Sequence, residues 1–498
     1  MRSPNVRPFL PESKSRVALS DTEALWHDDP TVGPAVSVQQ AKLRKELGLK
    51  DLVLAQVLCV VGSTWVGVAA KLGKAHVAFW VAAMLLYYLP LAAVVIYLNR
   101  LMPLEGGLYQ WAKAGFGERG GFLIAWNLWV YAVLVVGAIV FVVPTDLAYM
   151  IGPAGRWIPS SKPATLALTG SVVLIITVVG IRGLQIGKWL HNAGSIMILT
   201  AYAVLLGLPL WALQRGTIAH YQAVPWQAPA LNFFSLAVFG QMTVGALSGF
   251  EYVAILAGEC RGAARTIGQS VMLSAPVIAL MFILGTSSVL AFIGTQPIDL
   301  IGPIPQTMRI AFGHTGPAAW AAPFTIFLLM GRAIAGASLI FTGLTRLPMT
   351  AGWDNLAPRW FTQLHPRWKT PVNSILLVAG LVMAFILLSM TGVGEQEANQ
   401  SLVNASQVHY AIAYVALFAL PLIGSRALRS KLPVWLKVVS AAGLLSSVIG
   451  LAVTVYPIVD VVSRGAYALK IGGIVVVSNV IGLAIYYAGC DKLKRVPH

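Results

Sequence analysis

Gly62-Ser63-Thr64-Trp65-Val66-Gly67 interrupts an otherwise apolar run from about Asp51 to Ala70. That run is long enough to cross a bilayer, for which about 20 residues suffice. Two glycines and two hydroxyl side chains in its middle weaken a helix at the depth where an unpaired backbone group costs most. Irregular backbone survives there only where protein, water or a ligand satisfies its N–H and C=O groups. The stretch is therefore either a break that binds something or a small-residue face packed on a neighbour.

Outward from it, the 498-residue chain is 57% hydrophobic and only 11% charged, with a mean hydropathy of +0.75. Soluble domains carry about a quarter charged residues, so a polytopic membrane protein is expected. Twelve apolar segments are read at 51–70, 76–98, 121–151, 165–181, 188–213, 232–257, 268–293, 317–345, 372–391, 401–424, 434–457 and 468–489. With both termini on one side, the tail and even-numbered connections hold 26 of the 35 Lys and Arg, the other side 8, and Arg332 lies inside a helix. The positive-inside rule then makes both termini cytoplasmic. The net charge of +17 is topogenic and no nucleic-acid footprint. The first fifty residues hold no apolar core, so no cleavable signal is expected, and the destination is the plasma or inner membrane. Cys59, Cys260 and Cys490 form no metal or disulfide spacing and are read as small apolar packers.

The sixth segment repeats the first. Gly245-Ala246-Leu247-Ser248-Gly249-Phe250-Glu251 is again a glycine-bracketed interruption with a hydroxyl, five spans further on. Paired glycine-interrupted helices at matching places in two halves point to a transporter of inverted repeats with its substrate at the midplane. The expected organisation is an N-terminal tail (1–50), two five-helix repeats (51–213 and 232–424), two peripheral helices (434–489) and a C-terminal tail (490–498). The connection 99–120, with Pro103-Leu104-Glu105-Gly106-Gly107, is expected to turn into an interfacial helix. Segment 294–316 is too long for a simple turn and is read as a partial lid.

These stretches, taken in order, resemble the amino acid, polyamine and organocation permeases. The residues that carry the resemblance are Gly62–Gly67, Pro103 to Tyr109, Ser248-Gly249-Phe250-Glu251 with Gly258-Glu259 and Arg265-Thr266-Ile267, and the cytoplasmic stretch Trp353 to Phe361 with Thr370-Pro371-Val372-Asn373. The resemblance spans the first ten segments. It implies an all-α, leucine-transporter-like 5+5 inverted repeat with helices 1 and 6 broken, and an amino acid or related amine as substrate. Thr64 and Trp65 stand where the family motif has a second glycine and a small aliphatic residue. Ile198 stands where many proton-coupled members carry a lysine, so a lysine-centred proton mechanism is not expected.

A broken helix offers an amino acid what it needs. Free N–H groups at Ser63, Thr64 and their neighbours, with the positive end of a half-helix, suit a carboxylate. Carbonyls near Val61, Gly245 and Ser248 suit an ammonium, and Gly62, Ala246, Leu247 and Gly249 complete the small-residue lining. Phe250 is read as an aromatic gate or as core. Glu251 is read as a proton carrier, an ammonium partner, a conformational latch or a structural carboxylate. Arg332, costly in a membrane helix, is expected to meet Glu251, a substrate carboxylate or the water of an outer vestibule. Ser338, Thr342 and Thr345 share a helix face and form either a cation site or hydroxyls bonded to their own helix. His76, His191 and His409 are read as packed or interfacial. The function expected is secondary transport of an amino acid by alternating access, with proton symport, sodium symport and exchange left open. A polyamine transporter and a transport-inactive sensor are the alternatives. No phosphate-binding Gly-rich motif and no assembled catalytic group is found, so neither ATP-driven transport nor an enzyme is expected, and no cofactor beyond a coupled ion.

Overall fold

The computed structural model describes residues 48–102, 107–249, 263–294, 296–316, 318–350, 359–426 and 432–494. Phe250 and Glu251 lie outside them, as does most of the N-terminal tail. Every element among the described residues is helical. Ten helices are long and apolar enough to cross a membrane, eleven if one bent pair counts as a span. Phe233–Ala246 is a shorter apolar helix.

The bent pair is α1 (Leu49–Val60) and α2 (Ser63–Ala70), which meet at 45°. α1 starts where the Asp51 carboxylate accepts the backbone N–H of Gly48 at 3.0 Å, and it stops because Val61 and Gly62 are extended (ψ 105° and 144°). α3 (Gly73–Leu101) follows. The long third span is divided into α4 (Leu108–Phe141) and α5 (Val143–Ile151). Inside α4, Gly117 has φ +79°, a value that L side chains rarely adopt. It separates the short helix from Leu108, on the stretch expected to lie along the interface, from the span proper.

α6 (Lys162–Arg182) and α7 (Leu184–Gln214) come next. α8 (Phe233–Ala246) opens with a reciprocal cap, in which Asn232 Oδ1 accepts the N–H of Ser235 at 2.9 Å and the N–H of Asn232 donates to Ser235 Oγ at 3.0 Å. Its last turn, Gln241–Ala246, widens to a π-helix. Such turns cluster at functional positions because they turn side chains out of register. Helical structure stops there, and Gly249 takes φ +128°. The remaining elements are α9 (Ala263–Ile293), α10 (Pro303–Phe312), α11 (Ala321–Thr350), α12 (Val372–Ser389), α13 (Glu395–Ile423), α14 (Val434–Val453) and α15 (Arg464–Lys494).

α13 packs along α4, and α7 along α11. Of the most apolar window, 89% is buried in the helix pair Leu108–Ile151 and 17% in α15, so α4 is central and α15 peripheral. His76, His191 and His409 are buried, and each has a hydrogen-bond partner. His409 Nδ1 lies 2.7 Å from Asn127 Oδ1 and its Nε2 3.2 Å from Ser478 Oγ, which joins α4, α13 and α15. Asn404 donates to Tyr467 Oη at 2.9 Å and to the Thr454 carbonyl at 2.7 Å. These buried polar contacts tie the last two helices to α13.

Candidate functional site

The α1–α2 break and the end of α8 face one another across a cavity of about 70 Å³. Gly62, Ser63, Thr64, Gly245, Ser248, Gly249 and Arg332 line it, so seven of the residues picked from the sequence converge. Val61, Ala246 and Leu247 are buried behind that wall and are not part of it. Ser338 and Thr342 are buried elsewhere on α11, where Ser338 Oγ lies 3.4 Å from His191 Nε2.

The two breaks leave backbone groups without helix partners, and side chains from three other elements meet them. Gly62 is extended and has no side-chain cap, so the first N–H groups of α2 point out of the helix end. The Gly62 carbonyl accepts from Tyr202 Oη on α7 at 3.3 Å. The Leu58 carbonyl would have received the Gly62 N–H had α1 continued. It accepts instead from Arg332 Nη2 at 3.0 Å. At the other break, Tyr87 Oη and Ser248 Oγ share a hydrogen bond of 2.7 Å, and the Gly249 N–H donates to Tyr414 Oη at 3.2 Å.

Glu251, one of the partners expected for Arg332, lies outside the described residues. Arg332 is 8% exposed and does not reach a vestibule, and it has a further partner, a backbone carbonyl at the helix break. Its Nε has no hydrogen-bond partner among the described residues. A buried guanidinium with an unused N–H on a cavity wall is prepared for an anion.

Four of the lining residues that the sequence reading did not pick stand out. Gln407, on α13, has both amide atoms buried without a partner among the described residues. Asn399 stands two turns earlier and donates to the Ala138 carbonyl at 3.3 Å. The signal was present as a row of amides, Asn399, Gln400, Asn404 and Gln407, on one helix. Tyr131 stacks on Tyr410 with ring centroids 3.5 Å apart and forms an aromatic wall. Cys59, read as a packer, lines the cavity one residue past the Leu58 carbonyl and is in no disulfide. With Cys260 and Cys490 changed to serine, a small thiol reagent is expected to react at Cys59, and a bound substrate to slow that reaction at least severalfold. Unchanged labelling under saturating substrate would place the substrate elsewhere.

A larger cavity of about 430 Å³ lies at the far end of α5. Segment 294–316, read as a partial lid, forms α10 and a turn fixed by Asp299. That carboxylate accepts from Tyr149 Oη at 2.9 Å, Gln396 Nε2 at 2.7 Å and the Ile301 N–H at 2.9 Å. Arg309 Nε donates to the Tyr149 carbonyl at 2.5 Å, and partial burial lowers its pKa. Val142 lines the first cavity and Thr145 the second, so the α4–α5 junction lies between them. Asp146, 1% exposed, sits at that junction.

A family model described as amino acid permease matches residues 47–477. An uncharacterized transporter of Legionella pneumophila is 24% identical over 69% of this chain and 74% of its own length. A probable agmatine/putrescine antiporter, AguD of Lactococcus lactis, is 20% identical over 75% and 78%. Among solved structures, MhsT in complex with L-phenylalanine matches with a TM-score of 0.59 at 12% identity, over 82% of this chain and 98% of that one. At that identity the likeness is one of fold.

Proposed function

The chain belongs to the amino acid permease family, and from that premise we propose that it is a secondary transporter of neutral, carboxylate-bearing amino acids. The substrate sits between the α1–α2 break and the end of α8, and the two five-helix repeats, 51–213 and 232–424, rock around it with helices 1 and 6 broken, twelve spans in all and both termini cytoplasmic. One observation carries the substrate class: Arg332 is the only charged side chain among the described residues of the cavity wall. It holds the Leu58 carbonyl with one N–H and keeps another for a carboxylate. The N-terminal amides of α2 add donors on the same side.

The same guanidinium works against a diamine. Two like charges about 4 Å apart cost roughly 4 kcal/mol at the effective dielectric of a partly polar site, a penalty that a zwitterion offsets with its own carboxylate. The amine reading is favoured by the likeness to an agmatine/putrescine antiporter and keeps Glu251 as ammonium partner. For coupling, exchange fits best. The Leu58 carbonyl already receives a fixed cation, and the Ser338 hydroxyl faces His191, which leaves the sodium site through Ser338 and Thr342 less favoured. Glu251 remains the group for proton symport.

Uptake into proteoliposomes tests this with labelled alanine and labelled putrescine. Three conditions are needed: an inward proton gradient, an inward sodium gradient, and internal substrate with neither. Alanine uptake that requires only internal alanine is the expected result. Putrescine uptake that exceeds alanine uptake would replace the substrate class. Stimulation by sodium or protons would replace exchange and move attention to Ser338 or Glu251.

A further inference from the structure

The space between the two breaks is occupied by an indole. A Cβ added at Gly62 would lie 2.9 Å from both Cδ1 and Nε1 of Trp65, and one added at Gly245 would lie 2.7 Å from Cη2 and 2.9 Å from Cζ3 of the same ring. The pyrrole edge therefore rests on the first break and the benzene edge on the second. Both glycines have ordinary negative or helical backbone at these points, and Gly62 in particular has φ −109°. What they provide is room for the ring.

We propose that Trp65 sets the size limit of the substrate site, an inference that rests on the transport reading above. Small-molecule pockets commonly enclose about 300–1,000 Å³, and this one retains about 70 Å³. Trp65 fills part of the space between the two breaks, on the side where a substrate side chain would extend past the backbone donors. Its ring is anchored in the first turn of α2, and an added Cβ at Gly245 would meet Gln407 Nε2 at 2.5 Å beside the ring, so the indole is bounded at each end. The rest of the wall is apolar where a side chain would go, through Val135, Ile139 and Val142. The chamber accepts a short, neutral side chain, as in glycine, alanine or serine, and excludes branched and aromatic ones. One methylene too many in such a pocket costs roughly tenfold or more in selectivity.

The test measures uptake of labelled glycine, alanine, leucine and phenylalanine by the full chain in proteoliposomes. The wild type is expected to take alanine at least tenfold better than phenylalanine. Trp65→Ala is expected to raise the phenylalanine-to-alanine ratio at least tenfold, and Trp65→Phe to raise it less. If Trp65→Ala does not fold, the shift in Trp65→Phe decides. A second arm uses Gly62→Ala, whose new methyl meets only the Trp65 ring within 3.5 Å. Its alanine uptake should fall and should return when Trp65→Ala is added. Wild-type uptake of phenylalanine equal to that of alanine, an unchanged ratio in the variants, or no rescue would each overturn the size limit while leaving amino acid transport intact. Uptake of none of the four by the wild type would overturn the transport reading, and this inference with it.

Discussion

Arg332→Met should lower the affinity for alanine by about two orders of magnitude, and Arg332→Lys should recover only part of it. Methionine keeps most of the volume and removes the charge. Hydrogen bonds to charged groups contribute about 1.5–3 kcal/mol each, and about 1.4 kcal/mol is tenfold in affinity, so losing one such bond to a carboxylate accounts for up to about a hundredfold. The second loss is structural. The Leu58 carbonyl, which accepts from Arg332 at 3.0 Å, would be left buried without that donor at a cost of about 1–3 kcal/mol.

Lysine separates the two roles. A single ammonium on a flexible stem can satisfy the carbonyl or meet the carboxylate, but it lacks the planar fork that does both at once. Stability is therefore expected to recover in Arg332→Lys more fully than affinity. Equilibrium binding of labelled alanine, measured beside the thermal midpoint of each purified variant, distinguishes these effects. An unchanged alanine affinity in Arg332→Met would remove the carboxylate role and reopen the amine reading.

What the sequence disclosed and what it withheld follow from the range of the interactions. The α1–α2 break was legible at Gly62-Ser63-Thr64 because breaking a helix is a local matter of glycine and hydroxyl content. Length and hydropathy likewise gave most of the apolar helices, ten or eleven of which are long enough to span among the described residues, since a bilayer imposes a fixed thickness on each. Arg332 stood out for its cost in lipid, yet its described partner was not foreseen. The partner is a main-chain carbonyl 274 residues away, and a carbonyl leaves no mark in a sequence. Trp65 was visible only as a departure from a small-residue pattern. Its reach from Gly62 to Gly245 depends on how α2 and α8 are brought together, which no local rule encodes. Gln407 and Asn399 were hidden for a different reason: amides in an apolar helix are equally at home in a structural network, as Asn404 is. Only the lack of a hydrogen-bond partner among the described residues marks the Gln407 amide as different.

Gly194→Ala should be the most disruptive single methyl in the membrane-embedded region. An added Cβ there would lie 2.2 Å from the Ala335 Cβ, 3.6 Å from its Cα and 3.3 Å from Leu58 Cδ1. Neither methyl can rotate away, because each is fixed to its backbone, so α7 and α11 must separate. Membrane helices associate largely by such close packing of small residues, with little hydrophobic drive to hold a loosened pair. Overpacking of this kind costs about 1–3 kcal/mol. The position also matters for the site. Leu58, Ala335 and Leu339 form one buried cluster, and Ser195, the next residue on α7, donates to the Leu54 carbonyl of α1 at 2.9 Å. Widening the α7–α11 contact therefore draws α1 and α11 apart where Arg332 reaches Leu58. Transport should fall together with the thermal midpoint, and Ala335→Gly added to Gly194→Ala should restore both, with a coupling of about 0.5–3 kcal/mol between the two positions. Gly380→Ala on α12 is the control. Nothing lies within 4 Å of its added Cβ, and alanine is the better helix former by about 1 kcal/mol, so that variant should be as stable as the wild type or more so. If Gly194→Ala behaved like Gly380→Ala, the close contact of α7 and α11 would not be what holds α1 against Arg332.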